Sequence, residues 1–386
     1  MDRKVTDLFF ALIRGAVLGE KGLFDEQKDA IRSCSGSLFD LSSRHDLAHL
    51  VGASLFEEGI TDVYAAFERS HLLAVFRHES IVYEQERVCQ LLEAAEIPHM
   101  PLKGALLRDL YPEPWMRASC DVDVLIHAED LDSAVALLSQ NGYTVGEKTS
   151  HDVGLSSGGQ IPVELHFRLW ENGQGDGICT VLDEVLSHAV PAEGYRYRLL
   201  MPDEYFYFYH VAHMAKHVEH GGCGVRPFLD LWFLDRSQEN EPRRNALLER
   251  GALLTFAEAA RRLCGVWFGN ASHDGVTEAL ADYILFGGVY GNEENRVALQ
   301  QQQQGGRFRY AMSRIFIPFP VLKVYFPILN NHPWLAPVMQ VCRWFRILRR
   351  GDAKRSVKEL QYNQNLDGKT AEQMKHLLDD LGLPRA

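Results

Sequence analysis

The chain has 386 residues, 46% of them apolar and 24% charged, the make-up of a soluble globular protein long enough for two or three domains. Its net charge of -12 argues against indiscriminate nucleic-acid binding by the whole surface. The seven cysteines lie far apart with no CxxC spacing, which excludes a disulfide framework and reads as the reduced thiols of a cytoplasmic protein. The N-terminal stretch MDRKVTDLFFALIRG carries acids and lacks a long apolar core, so it is not read as a signal peptide.

Residues 4 to 97 are helical in pattern, with Leu8, Phe9, Leu12, Ile13 and Val17 on a 3.6-residue period. His45 and His49 stand four apart with Asp46 between them; too few ligands accompany them for a metal site, and a structural or supporting role is expected. From Pro98 the chain reads PHMPLKGALLRDLYPEPWMRASCDVDVLI. A Lys103-Gly104 turn opens a short helix over 105–110, stopped by Tyr111-Pro112 and Glu113-Pro114. The run 121–126 predicts a buried strand interrupted by Asp121 and Asp123. Residues i and i+2 of a strand point the same way, roughly 6.5 to 7 Å apart, so both carboxylates converge on one spot. Like charges held together call for a cation, and oxygen ligands suit Mg2+ or Mn2+.

A helix is expected over 128–141, ended by Gly142, then a short extended piece at 143–145 and a glycine-rich turn over 154–159. In IPVELHFRLW the apolar Val163, Leu165, Phe167 and Leu169 alternate with Glu164, His166 and Arg168, a strand whose polar face supplies a third acid, Glu164. Three carboxylates from two strands fit the metal ions of phosphoryl transfer, which lie about 3.5 to 4 Å apart when paired.

A helix starts at Pro202-Asp203-Glu204 and carries His210, His213, His217 and His220 along one stripe, with Lys216 among them. The stripe reads as a wall offering imidazole and Lys216 to an anionic substrate, with His166 and Asp230 as further wall candidates; a histidine-based metal site at His210, His213 and His217 is the competing reading. After a QQQQ-GG linker, residues 307–358 hold eleven Lys or Arg against one acid, a segment of +10 that leaves -22 on the rest. A helical region with a solvated basic face is expected there; membrane-surface or RNA contact is the sharper alternative, and no stretch reads as a transmembrane segment.

PLKGALLRDLYPEPWMRASCDVDVLI, the helix ending in NGY, VELHFRLW and HVAHMAKHV with RPFLDL together resemble an uncharacterised bacterial nucleotidyltransferase family of the DNA polymerase β-like superfamily. The resemblance covers most of the chain and is strongest over 97–170. It implies an α+β fold, a small mixed sheet embedded between N-terminal and C-terminal helical regions, which fits the regions read along the chain at 1–96, 97–200 (the core), 201–300 and 301–386. It also implies a metal-bound nucleoside triphosphate donor, with Asp121, Asp123 and Glu164 matching the three acids of the superfamily. Lys103-Gly104 stands where a Gly-Ser signature is usual, so Lys103 and the Gly104 amide are expected to hold the triphosphate and Arg117 to neutralise the leaving pyrophosphate, unless Arg117 pairs with Asp121 or Asp123. The acceptor, whether small molecule, peptide or RNA, is not indicated. A catalytically silent nucleotide-binding or scaffold protein is the alternative from another class, weighed down by the presence of all three acids.

Overall fold

The computed structural model describes residues 2–20, 22–23, 25–158, 161–171, 176–236, 240–289, 291, 295–297, 300, 306–350 and 368–383. Five helices come first: α1 (Arg3–Leu18), α2 (Asp25–Arg44), α3 (Ala48–Glu57), α4 (Thr61–Tyr64) and α5 (Glu68–Ala94). Asp2 caps α1 by accepting from the Lys4 amide at 2.9 Å, and Gly19, at φ 72°, ends it in the left-handed conformation.

The middle of the chain builds one sheet: β1 (His99–Pro101), β2 (Val122–Ile126), β3 (Thr144–Lys148), β4 (Asp152–Ser156) and β5 (Pro162–His166). The order is β1-β2-β5-β4-β3, with β2 and β5 parallel and every other neighbour antiparallel. Between β1 and β2 lie α6 (Gly104–Leu107) and a 3-10 turn at Arg108–Leu110, so the helix expected over 105–110 is shorter and changes pitch halfway. The helix expected over 128–141 is α7 (Leu131–Gln140), preceded by a 3-10 turn. Residues 154–156, expected to begin a glycine-rich turn, instead belong to β4; Gly159, the end of that expected turn, lies outside the described residues.

The sheet has two unlike faces. Val122, Val124, Ile126, Val163 and Leu165 pack with Ile81, Val88 and Leu92 of α5 and with Leu131, Ala134 and Leu138 of α7. The intervening residues Asp123, Leu125, Glu164 and His166 therefore face the other way, as period-two alternation demands. The chain continues through α8 (Asp176–Asp183), α9 (Val185–His188), a two-strand ribbon of β6 (Val190–Pro191) and β7 (Leu199–Leu200), α10 (Asp203–Glu219), α11 (Arg226–Leu234), α12 (Glu241–Arg250), α13 (Leu254–Phe268) and α14 (Gly275–Gly287). Then come α15 (Arg307–Ile315), α16 (Phe319–Tyr325), α17 (Ala336–Arg350) and α18 (Gly368–Asp380). The result is the α+β architecture expected, helices on both sides of a small mixed sheet.

The larger core joins distant segments. Phe9 and Ile13 of α1, Phe208 of α10, Phe228 of α11, Phe256 of α13, Ile284 of α14 and Leu377, Leu381 and Leu383 near the far end belong to one buried cluster. Phe10 stacks on Trp267 with ring centroids 4.9 Å apart. His45 and His49 serve this packing: their Nε2 atoms hydrogen-bond the Leu285 and Met116 carbonyl oxygens at 3.3 and 2.8 Å. No described helix is long and apolar enough to cross a membrane.

Candidate active site

The site is built on the sheet face opposite α5 and α7. Asp123 and Glu164 are paired residues of the parallel strands β2 and β5, so their side chains rise side by side. Asp121 precedes β2 and stands close enough that its carboxyl is pushed above the usual range, by burial and then by the negative charges of Asp123 and Glu164. His166, two residues beyond Glu164 on the same face, places Nε2 3.2 Å from Asp123 Oδ1 and 3.6 Å from Glu164 Oε2. Burial alone would strip its proton; the two carboxylates win and raise its pKa to about 9. In return, the imidazolium and Lys103 hold Asp123 below the ordinary carboxylate range although burial works to raise it.

Lys103 reaches this cluster from the turn after β1. Its backbone sits at φ 30°, an uncommon conformation for a residue with a Cβ. The turn is anchored on both sides: the Leu102 amide donates to the Asp123 carbonyl at 3.0 Å, and the Lys103 carbonyl accepts from the Leu107 amide at 2.9 Å. The Lys103 Nζ lies 2.9 Å from His213 Nε2 and 5.2 Å from the centre of the Tyr209 ring. Burial lowers its pKa to about 8, against the pull of Asp123, Asp121 and Glu164.

Beside Lys103, Gly104 opens onto three donors. A Cβ there would meet Ser119 Oγ at 3.4 Å, Arg108 Nη2 at 3.5 Å and Arg117 Nη1 at 3.6 Å. The Ser119 hydroxyl and Arg108 Nη1 are buried without a hydrogen-bond partner. Burial, and next the neighbouring Arg117, lower the Arg108 pKa to about 10. With Arg108 Nη2 already donating to Gln85 Oε1 at 2.8 Å, the Ser119 hydroxyl, Arg108 Nη1 and Arg117 Nη1 are the donors around a residue with no side chain.

The other expected site residues are held by partners outside the cluster of three acids. Arg117 is paired neither with Asp121 nor with Asp123: its Nε and Nη2 donate to the two oxygens of Asp230 at 3.0 and 3.1 Å, and Tyr111 donates its hydroxyl to Asp230 at 2.7 Å. Asp230 is 1% exposed and engaged by Arg117 and Tyr111, which fastens α11 to the site loop. His210 is buried too, its Nε2 on the Pro227 carbonyl at 2.9 Å. Lys216 turns to Glu171 at 3.3 Å and lies over the Trp170 ring, away from the acids. Of the stripe, His213 alone touches Lys103, and His217 is 2.9 Å behind it, nitrogen to nitrogen. Burial and then the Lys103 charge hold His213 well below its ordinary pKa, which keeps its imidazole neutral. The groups of described residues that could hold a metal are Asp123, Glu164 and His166, and His151, Asp152 and His166; neither includes the α10 histidines.

Sequence reasoning passed over Arg108, Ser119, His151, Asp152 and Tyr209. For Ser119 a signal existed: it lies two residues before Asp121, a spacing that puts it beside the same cluster. For Tyr209 there was none, since an aromatic on a helix reads as core.

No curated protein and no solved structure matches the chain. A family model described as an uncharacterised nucleotidyltransferase matches residues 35–269, more than half of the chain, running from α2 to just past α13. The sheet, the paired acids, Lys103 and the Gly104 surface all fall within that span, and the chain belongs to that uncharacterised nucleotidyltransferase family.

Proposed function

We propose that the protein moves a nucleoside monophosphate from a nucleoside triphosphate to a hydroxyl acceptor and releases pyrophosphate, in a core spanning 97–200 that the flanking helical regions close in. The observation that carries this is the pairing of Asp123 with Glu164 across parallel strands, with Asp121 crowded beside them and Lys103 overhead. Mg2+ or Mn2+ fits that donor set: three carboxylates, one of them raised by burial and then by the charge of the other two, form a pocket of hard oxygens in need of a cation. When bound, such an ion polarises the phosphoryl oxygens and offsets charge on the leaving group.

The chain's own residues do the rest. His166 keeps Asp123 ionised and fixes its orientation. Glu164, the most open of the pair with 40% of its side chain exposed, stands where an acceptor hydroxyl can approach and give up its proton. Lys103, lodged against His213, and the donors around Gly104 receive the triphosphate, with Arg108 and Arg117 facing the pyrophosphate as it departs. Arg117 enters this role already braced by Asp230, so it offers only Nη1.

Calorimetry of the four nucleoside triphosphates with Mg2+ tests the reading. One triphosphate should bind the wild type and fail to bind an Asp121→Ala, Asp123→Ala double variant; no binding to any triphosphate would sink the donor site. Binding without turnover over an acceptor panel of small molecules, peptides and RNA would instead favour a silent nucleotide-binding role.

The basic, aromatic-rich region supports a further contact. Residues 306–350 hold no acid, and Phe308, Val324, Trp334 and Phe345 are each more than two-thirds exposed. We propose that it meets an anionic surface, as cations mixed with exposed rings suit. Lys354, Arg355 and Lys358, which complete the charge count, lie outside the described residues.

A further inference from the structure

We propose that His151, Asp152 and His166 form a second metal site, distinct from the three acids, that takes a borderline divalent ion such as Zn2+. The residues come together because Asp152 opens β4 directly across from His166 on β5. Their candidate ligand atoms all lie within 4.8 Å of one another. His151 Nε2 stands 3.9 Å from Asp152 Oδ2, and the rings of His151 and His166 are 6.0 Å apart. A tetrahedral ion would hold such atoms about 3.3 Å apart, so the ligands close in by up to about 1.5 Å when it binds.

Each ligand is also held from behind. The Thr149 hydroxyl is hydrogen-bonded to Asp152 Oδ1 and lies 3.2 Å from His151 Nδ1, so Asp152 Oδ2 and His151 Nε2 are the atoms left over. The backbone amides of His151 and Asp152 both donate to the same Thr149 oxygen, at 3.2 and 3.1 Å. On the far side, His166 Nε2 donates to Asp123 Oδ1. That leaves His166 Nδ1 buried with no hydrogen-bond partner, in a residue 8% exposed. A histidine that gives one ring nitrogen to a carboxylate can bind metal through the other, here unpartnered, nitrogen, the imidazolium proton leaving to solvent as the ion binds. Two imidazoles and one carboxylate select Zn2+ over Mg2+, which prefers oxygen, and leave one coordination position open.

This proposal does not depend on nucleotidyl transfer, although the two sites share one imidazole. Metal-free, full-length protein is titrated with Zn2+ by calorimetry in excess Mg2+, and with Co2+ as a spectroscopic stand-in. The wild type should bind about one equivalent of Zn2+ and give the intense visible bands of low-coordinate Co2+. His151→Gln should lose both signals, Thr149→Val should weaken binding roughly 10- to 100-fold, and Asp121→Ala and Glu164→Gln should bind as the wild type does. Wild type that takes up no Zn2+ overturns the proposal. So does His151→Gln that binds at full strength, or loss of binding in Glu164→Gln, which would place the ion on Asp123, Glu164 and His166. Circular dichroism of the metal-free variants separates lost ligation from lost fold; should His151→Gln not fold, undiminished binding by Thr149→Val is the result that overturns it.

Discussion

Arg117 and Asp230 show how a single buried pair can brace a site from behind. Both are almost wholly out of water, and the carboxylate has three donors. Removing one partner strands the other: Asp230→Ala should cost about 3 to 5 kcal/mol in a denaturant melt, while Arg117→Met with Asp230→Leu should recover much of that loss. His166 gives a second expectation at this scale. Its pKa rises on folding from 6.5 to about 9, so the stabilisation it supplies is complete below pH 6.5 and fades as the pH climbs through 9. In chelated buffer the stability gap between wild type and His166→Gln should be of order 2 to 3 kcal/mol at low pH and close near pH 9 to 10. Lys103 combines a useful amine with an awkward backbone at φ 30°. Lys103→Gly should melt as a protein about 1 kcal/mol more stable than Lys103→Ala, yet both should lose triphosphate binding in the same calorimeter.

Among elements, the readable and the hidden parts divide on physical grounds. β2 was legible because two acids seldom interrupt an apolar run unless they share a partner, and β5 because its alternation is clean. The start of α10 was written in Pro202-Asp203-Glu204. β4 was not, since its glycine looks like a turn. Gly154 instead marks close approach between strands: a Cβ on its neighbour Gly146 would come within 3.1 Å of the Gly154 carbonyl oxygen, where β3 is also irregular. Missing β4 hid His151 and Asp152, whose partner lies on another strand. The Arg117 to Asp230 pairing was equally out of reach, because which carboxylate a guanidinium finds 113 residues away is decided by packing. Packing also sets a limit at the end of α12, where a Cβ on Gly251 would lie 2.4 Å from the Phe208 ring. Gly251→Ala should destabilise by roughly 1 to 3 kcal/mol, read as a lower melting midpoint with triphosphate binding kept at low temperature.

At the scale of the molecule, charge is divided between an acidic body and a basic region, +10 against -22. Flotation with anionic and neutral vesicles, with RNA as competitor, should show binding to an anionic partner that weakens steeply as salt is raised. Binding to neutral vesicles at any salt would count against a charge-led contact. The buried cluster that runs from Phe9 to Leu383 has another consequence, for a chain still being made. Helices α1 to α5 leave the ribosome hundreds of residues before Leu377, Leu381 and Leu383 can cover their share of the same core. Until synthesis passes Leu383, the part of α14 that meets α18 waits uncovered, so closing this core comes late. A nascent chain halted at Arg350 should therefore be captured by a chaperone more often than the full chain.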